Sequence, residues 1–282
     1  MKHELLLNAI KLSELIQAGS VTVVDCRFAL TDPEKGRSDW LTAHIPTAAY
    51  AHLDDDLSSP IGPETGRHPL PDAKSFAHFL SALGWTPGML VVAYDDGSNA
   101  ISGRLWWLMR YFGHPAALLD GGLAAWEDAG LPLESGPVRA RPSGFTRLNG
   151  DNGMVVSSTQ LREAMEHGRL TVLDARGPER FSGQVEPLDS RGGHIPGAMN
   201  RPLQLNLAED GSFKKPEQLR SEFAALLRGL DPAGIAHSCG SGVTACHNYF
   251  AMELAGLKAS LLYPGSWSEW IRDSSRPIET GH

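Results

Sequence analysis

Residues 237–247 read HSCGSGVTACH, which places Cys239 among glycines between an apolar run and a helical-looking run. Gly240 and Gly242 allow backbone conformations that other residues avoid, so successive N–H groups can turn toward one point. The start of the following helix adds free N–H groups and a partial positive charge. A thiolate at that point would be stabilised and reactive, so the loop predicts that Cys239 is a nucleophile.

Two other chemistries fit this stretch less well, and a plain buried thiol is the remaining alternative. A zinc site would use His237, Cys239, Cys246 and His247. Zinc knuckles usually separate two cysteines by roughly two to four residues, whereas residues 240–245 lie between these two. Cysteine phosphatases clamp phosphate with an arginine after the nucleophile, where this chain has Ala245.

Charge and composition argue against several classes of function. The chain has 25 Lys and Arg against 33 Asp and Glu, a formal net charge of −8, which disfavours a general nucleic-acid or anionic-membrane surface. No apolar run approaches the roughly 20 residues of a membrane span. The start, MKHELLLNAIKLSEL, lacks the long apolar core of a signal peptide. Three cysteines make no disulfide framework, so we expect a cytoplasmic protein with reduced thiols.

The two halves of the chain repeat each other. GSVTVVDCR at 19–27 matches GRLTVLDAR at 168–176, and AHIPTA at 43–48 matches GHIPGA at 193–198. Further similar blocks follow in the same order. This order and a nearly constant offset indicate the internal duplication of a domain rather than a short solenoid repeat.

The reactive loop also has a counterpart in the first half. YDDGSNAISGRLWW at 94–107 aligns with HSCGSGVTACHNYF at 237–250, which pairs Asp96 with Cys239. The first half therefore lacks the nucleophile, and a carboxylate inside a ring of N–H groups would imitate a bound anion. We predict three segments: an inactive domain at 1–135, a linker at 136–153 and a catalytic domain at 154–282.

Alternating strands and helices would position this loop. Short β-branched runs predict strands at 21–25, 89–94, 170–174 and 234–238. Apolar residues at helical spacing predict helices at 71–84 and 215–229, each ending at a glycine. Such alternation implies an α/β fold in each half, with a mostly parallel sheet flanked by helices. Ligands bind at the carboxyl ends of parallel strands, which is where Cys239 lies.

The duplicated halves, both HIP blocks and CGSGVTA at 239–245 resemble a tandem-domain rhodanese-type sulfurtransferase over nearly the whole chain. The loop is most similar to the 3-mercaptopyruvate sulfurtransferase type, because thiosulfate sulfurtransferases usually carry Arg and Lys in place of Gly240 and Ser241. The resemblance implies that Cys239 takes sulfur from a small anionic donor as a persulfide. It then passes the sulfur to a thiol acceptor such as thioredoxin, or to cyanide. It implies neither a metal nor an organic cofactor.

The resemblance also implies roles for single residues. Arg180 would bind the carboxylate or sulfonate of the donor. Asp54, His68 and Ser241 resemble a relay in which the histidine moves a proton and the carboxylate orients it. Because Asp54 and His68 lie in the first half, the resemblance implies a site at the domain interface. The remaining loop residues that we expect to surround the donor are Gly240, Gly242, Val243 and Thr244.

One departure from the family pattern concerns the donor. Leu188 follows the sequence EP, where mercaptopyruvate enzymes usually carry a second arginine. Arg191, three positions on, is the candidate replacement. Mercaptopyruvate is the expected donor and thiosulfate the alternative. A further alternative is a non-catalytic binding module, since rhodanese-like domains also serve in that way.

Overall fold

A computed structural model describes residues 4–281, which form two compact units. The first unit consists of the chain up to Ser59, Leu70–Asp151 and Glu209–Ser212. The second unit consists of Pro60–Pro69, Asn152–Ala208 and the chain from Phe213 onward. The segment with His68 therefore groups with Cys239 rather than with its own half of the sequence.

The first unit contains a five-stranded parallel sheet. Its strands are β1 (Leu6–Leu7), β2 (Val21–Asp25), β3 (Ala49–Tyr50), β4 (Leu90–Tyr94) and β5 (Ala116–Leu119), in the spatial order β1-β5-β4-β2-β3. Its helices are α1 (Ala9–Gln17), α2 (Lys35–Thr42), α3 (Ala73–Ala82), α4 (Ser102–Tyr111) and α5 (Gly122–Asp128).

The second unit contains a four-stranded parallel sheet. Its strands are β6 (Thr171–Asp174), β7 (Met199–Asn200), β8 (Ile235–Ser238) and β9 (Leu261–Leu262), in the order β7-β6-β8-β9. Its helices are α6 (Ser158–Glu166), α7 (Pro178–Phe181), α8 (Pro216–Leu227), α9 (Ala245–Leu254) and α10 (Ser266–Trp270). Short 3-10 helices lie at Asn152–Met154, Leu203–Asn206 and Pro232–Gly234. The predicted α/β class with two parallel sheets is confirmed.

Local sequence signals explain where the predicted helices begin and end. Asp72 caps α3 by accepting hydrogen bonds from the N–H groups of Lys74 and Ser75, at 2.9 and 3.0 Å. Gly84 follows the helix at φ +75°, a conformation that glycine adopts without strain. At α8 a residue other than glycine, Arg228, takes the left-handed position at φ +49°, and Gly229 comes next.

Each unit has its own apolar core. In the first unit the core includes Leu12, Val23, Val92, Ala117 and Trp126. In the second unit it includes Leu161, Val172, Ala236, Trp267 and Trp270. These side chains fix the central strands, and therefore the loops that follow them. In the range 4–281, no helix is long and apolar enough to span a membrane.

His237 is a core histidine of β8. Its side chain is fully buried, and Nε2 lies 3.1 Å from the Ser260 hydroxyl. Desolvation lowers the pKa of the ring to about 3, so the ring is neutral at physiological pH. Among the described residues, no group of His, Cys, Asp or Glu side chains has a metal-site arrangement.

We expect the free energy of unfolding to fall on acidification because of His237. Its folded pKa of about 3 lies below the ~6.5 of an exposed histidine, so the unfolded chain binds more protons between these values. The stability from the neutral buried ring is present above about pH 6.5 and falls by up to about 1.4 kcal/mol per pH unit below it. The free energy of unfolding can be measured by urea unfolding at several pH values from about 7 to 4. It should fall less steeply with decreasing pH in His237→Gln than in the wild type. Equal slopes would contradict this assignment.

Candidate active site

Cys239 is the first residue after β8, and its position is fixed by hydrogen bonds on three sides. The thiol sulfur accepts a hydrogen bond from the Gly242 N–H at 3.1 Å. The Cys239 N–H donates to the Ser266 hydroxyl at 3.1 Å, and its carbonyl accepts from the Trp267 N–H at 3.0 Å. An N–H directed at the sulfur stabilises a thiolate, and the side chain is only 2% exposed.

Glycine occupies two positions of this loop for different structural reasons. Gly242 adopts φ +78°, and a Cβ there would lie 2.2 Å from the Pro264 carbonyl oxygen, so only glycine fits. At Gly240, a Cβ would lie 2.9 Å from Nη2 of Arg67 and 3.4 Å from Nη2 of Arg180. Two guanidinium groups therefore lie directly over the backbone next to Cys239.

Val243 and Thr244 lead from the loop into α9. Their carbonyls accept hydrogen bonds from the N–H groups of Cys246 and His247, at 3.0 and 3.1 Å. The Cys246 thiol donates to the Gly242 carbonyl at 3.3 Å and is fully buried. Cys246 is thus a buried residue of α9.

His68 and Ser241 form a hydrogen-bonded pair beside the cysteine loop. Nδ1 of His68 lies 2.7 Å from the Ser241 hydroxyl, and both side chains are buried. The segment that carries His68 is held in place because the Arg67 N–H donates to the Ser268 hydroxyl at 3.0 Å. It also passes so close to Gly265 that a Cβ at Gly66 would lie 2.4 Å from the Gly265 carbonyl oxygen. A histidine and hydroxyl at this distance can exchange a proton.

Asp54, the predicted acid of the relay, belongs to the first unit. It lies in the turn after β3, where its side chain is exposed. In the same turn the Asp56 carboxylate accepts a hydrogen bond from the His52 N–H at 2.8 Å. The role of Asp54 in the relay remains a prediction.

Arginines and carboxylates alternate beside the cysteine loop. Arg180 pairs with Glu186 at 2.8 Å and with Asp189 at 3.4 Å, and Arg67 also forms an ion pair with Asp189. Arg176 lies 3.5 Å from Glu186 and 2.7 Å from Asp174. We call this the arginine–carboxylate cluster, with the members Arg67, Arg176, Arg180, Asp174, Glu186 and Asp189.

Arg67 is a site residue that sequence reasoning missed. It follows Gly66 and precedes His68, but no spacing rule connects it with Gly240.

For Arg191, the predicted second arginine, the backbone carbonyl accepts from the Trp267 indole N–H at 2.8 Å. Its side chain makes no hydrogen bond or ion pair with any residue in the range 4–281. Leu188 is 43% exposed. Arg67, rather than Arg191, is therefore the second arginine that lies with Arg180 over Gly240.

The predicted pairing of Asp96 with Cys239 is wrong by one position. Matching the aspartates that end β2 and β6 makes Tyr94 equivalent to Ser238, so Asp95 is equivalent to Cys239. The backbone hydrogen bonds support this pairing. The Asp95 carbonyl accepts from the Leu123 N–H, just as the Cys239 carbonyl accepts from the equivalent N–H in the second unit. The first loop is one residue longer before its helix, which an ungapped alignment conceals.

Asp95 uses the N–H groups of its own loop. Its buried carboxylate accepts backbone hydrogen bonds at 2.8–3.2 Å from Gly97, Asn99, Ile101 and Ser102. The first unit thus holds a fixed side-chain anion where the second unit holds a thiol, so it cannot carry sulfur at this position.

Two relatives in particular resemble this chain over its whole length. A Pseudomonas aeruginosa protein named "Probable 3-mercaptopyruvate sulfurtransferase" is 46% identical over 100% of both chains. The "Thiosulfate sulfurtransferase" of Bos taurus is 34% identical over 99% of this chain and 97% of that protein.

A solved structure and a family match agree with this likeness. The "3-mercaptopyruvate sulfurtransferase from Leishmania major" has a TM-score of 0.86 and 31% identity, covering 98% of this chain and 76% of that one. The family described as Rhodanese-like domain matches twice, at residues 8–129 and 157–273. The chain therefore belongs to the rhodanese family and contains its domain in tandem.

Proposed function

We propose that this chain is a sulfurtransferase that takes sulfur from 3-mercaptopyruvate and carries it on Cys239. The main support is the His68–Ser241 pair, 2.7 Å apart, beside a cysteine whose sulfur accepts a backbone N–H. A relay of this kind serves a donor that brings a proton, and mercaptopyruvate brings one on its thiol.

The proposed reaction has two steps. The Cys239 thiolate attacks the sulfur of mercaptopyruvate, a new S–S bond forms and the C–S bond breaks. The electron pair of that bond passes to carbon as the enolate of pyruvate, which takes up a proton. Ser241 and His68 move the proton of the donor thiol, and the resemblance assigns Asp54 the orienting role. An acceptor thiolate or cyanide then attacks the outer sulfur of the persulfide and releases the Cys239 thiolate.

The donor carboxylate is proposed to bind Arg180 and Arg67. Both guanidinium groups lie over Gly240, the residue next to the nucleophile. A guanidinium can pair bidentately with a carboxylate. Arg67 would supply the second cation that is absent at Leu188. In this proposal Arg191 is not required, and the loop residues Gly240, Gly242, Val243 and Thr244 contribute backbone rather than side chains.

The wider organisation follows from the same proposal. The domain at 1–135 has no nucleophile of its own because Asp95 takes that position, the segment 136–153 links the domains, and 154–282 carries Cys239. The acceptor is a thiol, such as thioredoxin, or cyanide. The three buried cysteines of the described chain, none of which forms a disulfide, suit a reducing, cytoplasmic location. Neither step of the proposed reaction needs a metal or an organic cofactor.

Steady-state kinetics with both donors tests the proposal. Thiosulfate is a dianion, and the loop provides no side-chain cation at Gly240 or Ser241 to offset its repulsion from a thiolate. We therefore expect a higher kcat/KM for mercaptopyruvate than for thiosulfate, with cyanide or a thiol as acceptor. A preference for thiosulfate would instead support a thiosulfate sulfurtransferase. Absence of turnover with either donor would support a binding module.

A further inference from the structure

Asp189 holds both arginines that lie over the cysteine loop. Its side chain, 6% exposed, forms an ion pair with Arg67 and lies 3.4 Å from Nη2 of Arg180. Its backbone N–H donates to Glu186 at 3.2 Å, which fixes the turn that presents it. The two donor-binding cations are thus already paired with a buried carboxylate before any donor arrives.

The arginine–carboxylate cluster is electrically balanced. It has three guanidinium groups, and these are matched by the carboxylates of Asp174, Glu186 and Asp189. Glu186, only 5% exposed, spans Arg176 and Arg180 and so neutralises the cluster from the other side. An incoming anion therefore meets guanidinium groups whose charge is already matched by carboxylates.

We propose that Asp189 is a positioning residue that makes the donor site select monoanions over dianions. This inference rests on the proposed function, since it concerns the donors of that same site. A fixed carboxylate repels a dianion twice as strongly as it repels a monoanion at the same distance. The arginines attract a dianion twice as strongly as a monoanion by the same law, and the fixed carboxylate of Asp189 offsets this advantage of the dianion. Specificity then arises from a repulsive element that is built into the site.

Substitutions at Asp189 separate this role from a merely structural one. Asp189→Asn keeps the shape and removes the charge, whereas Asp189→Glu keeps the charge. We expect Asp189→Asn to lower the KM for thiosulfate by about tenfold more than the KM for mercaptopyruvate, with little difference in kcat. Asp189→Glu should retain the wild-type ratio of the two KM values. Glu217→Gln, which removes an exposed carboxylate of α8, is the matched control and should leave the ratio unchanged.

Measuring the binding of unreactive anions tests the role of the Asp189 charge without turnover. Titration calorimetry can use sulfate as the dianion and pyruvate as the monoanion. Relative to the wild type, Asp189→Asn should increase the affinity for sulfate more than the affinity for pyruvate. Equal changes for both anions, or the same result for Asp189→Asn and Asp189→Glu, would overturn the role of Asp189. Failure of the proposed function would appear differently, as a wild-type protein that does not turn over mercaptopyruvate. The sulfate-to-pyruvate affinity ratio of the variants still decides the role of Asp189 in that case.

Discussion

Replacing Cys239 with serine is expected to reduce sulfur transfer from either donor to the background rate. A serine hydroxyl is not ionised near neutral pH and cannot hold a persulfide. The fold should survive, because the hydroxyl is smaller than the thiol and can accept the same hydrogen bond from the Gly242 N–H. Initial rates of pyruvate formation from mercaptopyruvate give the measurement, and circular dichroism checks the fold.

Cys26→Ser is the matched control for this substitution. Cys26 is a buried cysteine of the first unit, and burial raises the pKa of its thiol well above the ordinary value. This variant should keep the wild-type rate, because an un-ionised thiol is not a nucleophile. Substantial turnover by Cys239→Ser would overturn the assignment and make Cys246 the next candidate.

Removing the imidazole of His68 should damage the mercaptopyruvate reaction more than the thiosulfate reaction. A general base of this kind contributes roughly 10²- to 10⁴-fold to the rate. Mercaptopyruvate brings a thiol proton that the His68–Ser241 pair can move, whereas thiosulfate brings none. We therefore expect His68→Ala to lower kcat/KM for mercaptopyruvate by about a hundredfold or more, with a smaller loss for thiosulfate.

Ser241→Ala provides an internal check on the relay. If the two residues act as one unit, His68→Ala/Ser241→Ala should be scarcely slower than either single variant. Equal losses for both donors in His68→Ala would argue that the histidine only supports the loop. Fully additive losses in the double variant would argue against a relay.

Hydrophobic patterns in the sequence were sufficient to predict β2, β4, β6 and β8 and the helices α3 and α8. Runs such as VTVVD are apolar on both faces, and β2 and β6 are indeed internal strands of parallel sheets. The two-residue strands β1, β3, β7 and β9 could not be predicted, since two residues carry no periodicity. Their positions follow from the strands beside them. Likewise, grouping residues 60–69 with the second unit depends on long-range contacts that no local pattern encodes.

The candidate site shows the same division between local and long-range information. The glycines around Cys239 indicated a backbone cradle, and Gly242 does require its left-handed conformation. The register error at Asp96 arose because one extra loop residue leaves no trace in an ungapped alignment. Arg67 was missed because its importance comes from its distance to Gly240, across more than half the chain.

Peptide mass spectrometry after incubation with mercaptopyruvate, without an acceptor, tests the central proposal most directly. The account predicts one added sulfur atom per chain, on the peptide that contains Cys239, and its loss when cyanide or a thiol is added. Cys26 and Cys246 should remain unmodified, since both are fully buried. An unmodified Cys239, or sulfur on Cys246 instead, would contradict the account.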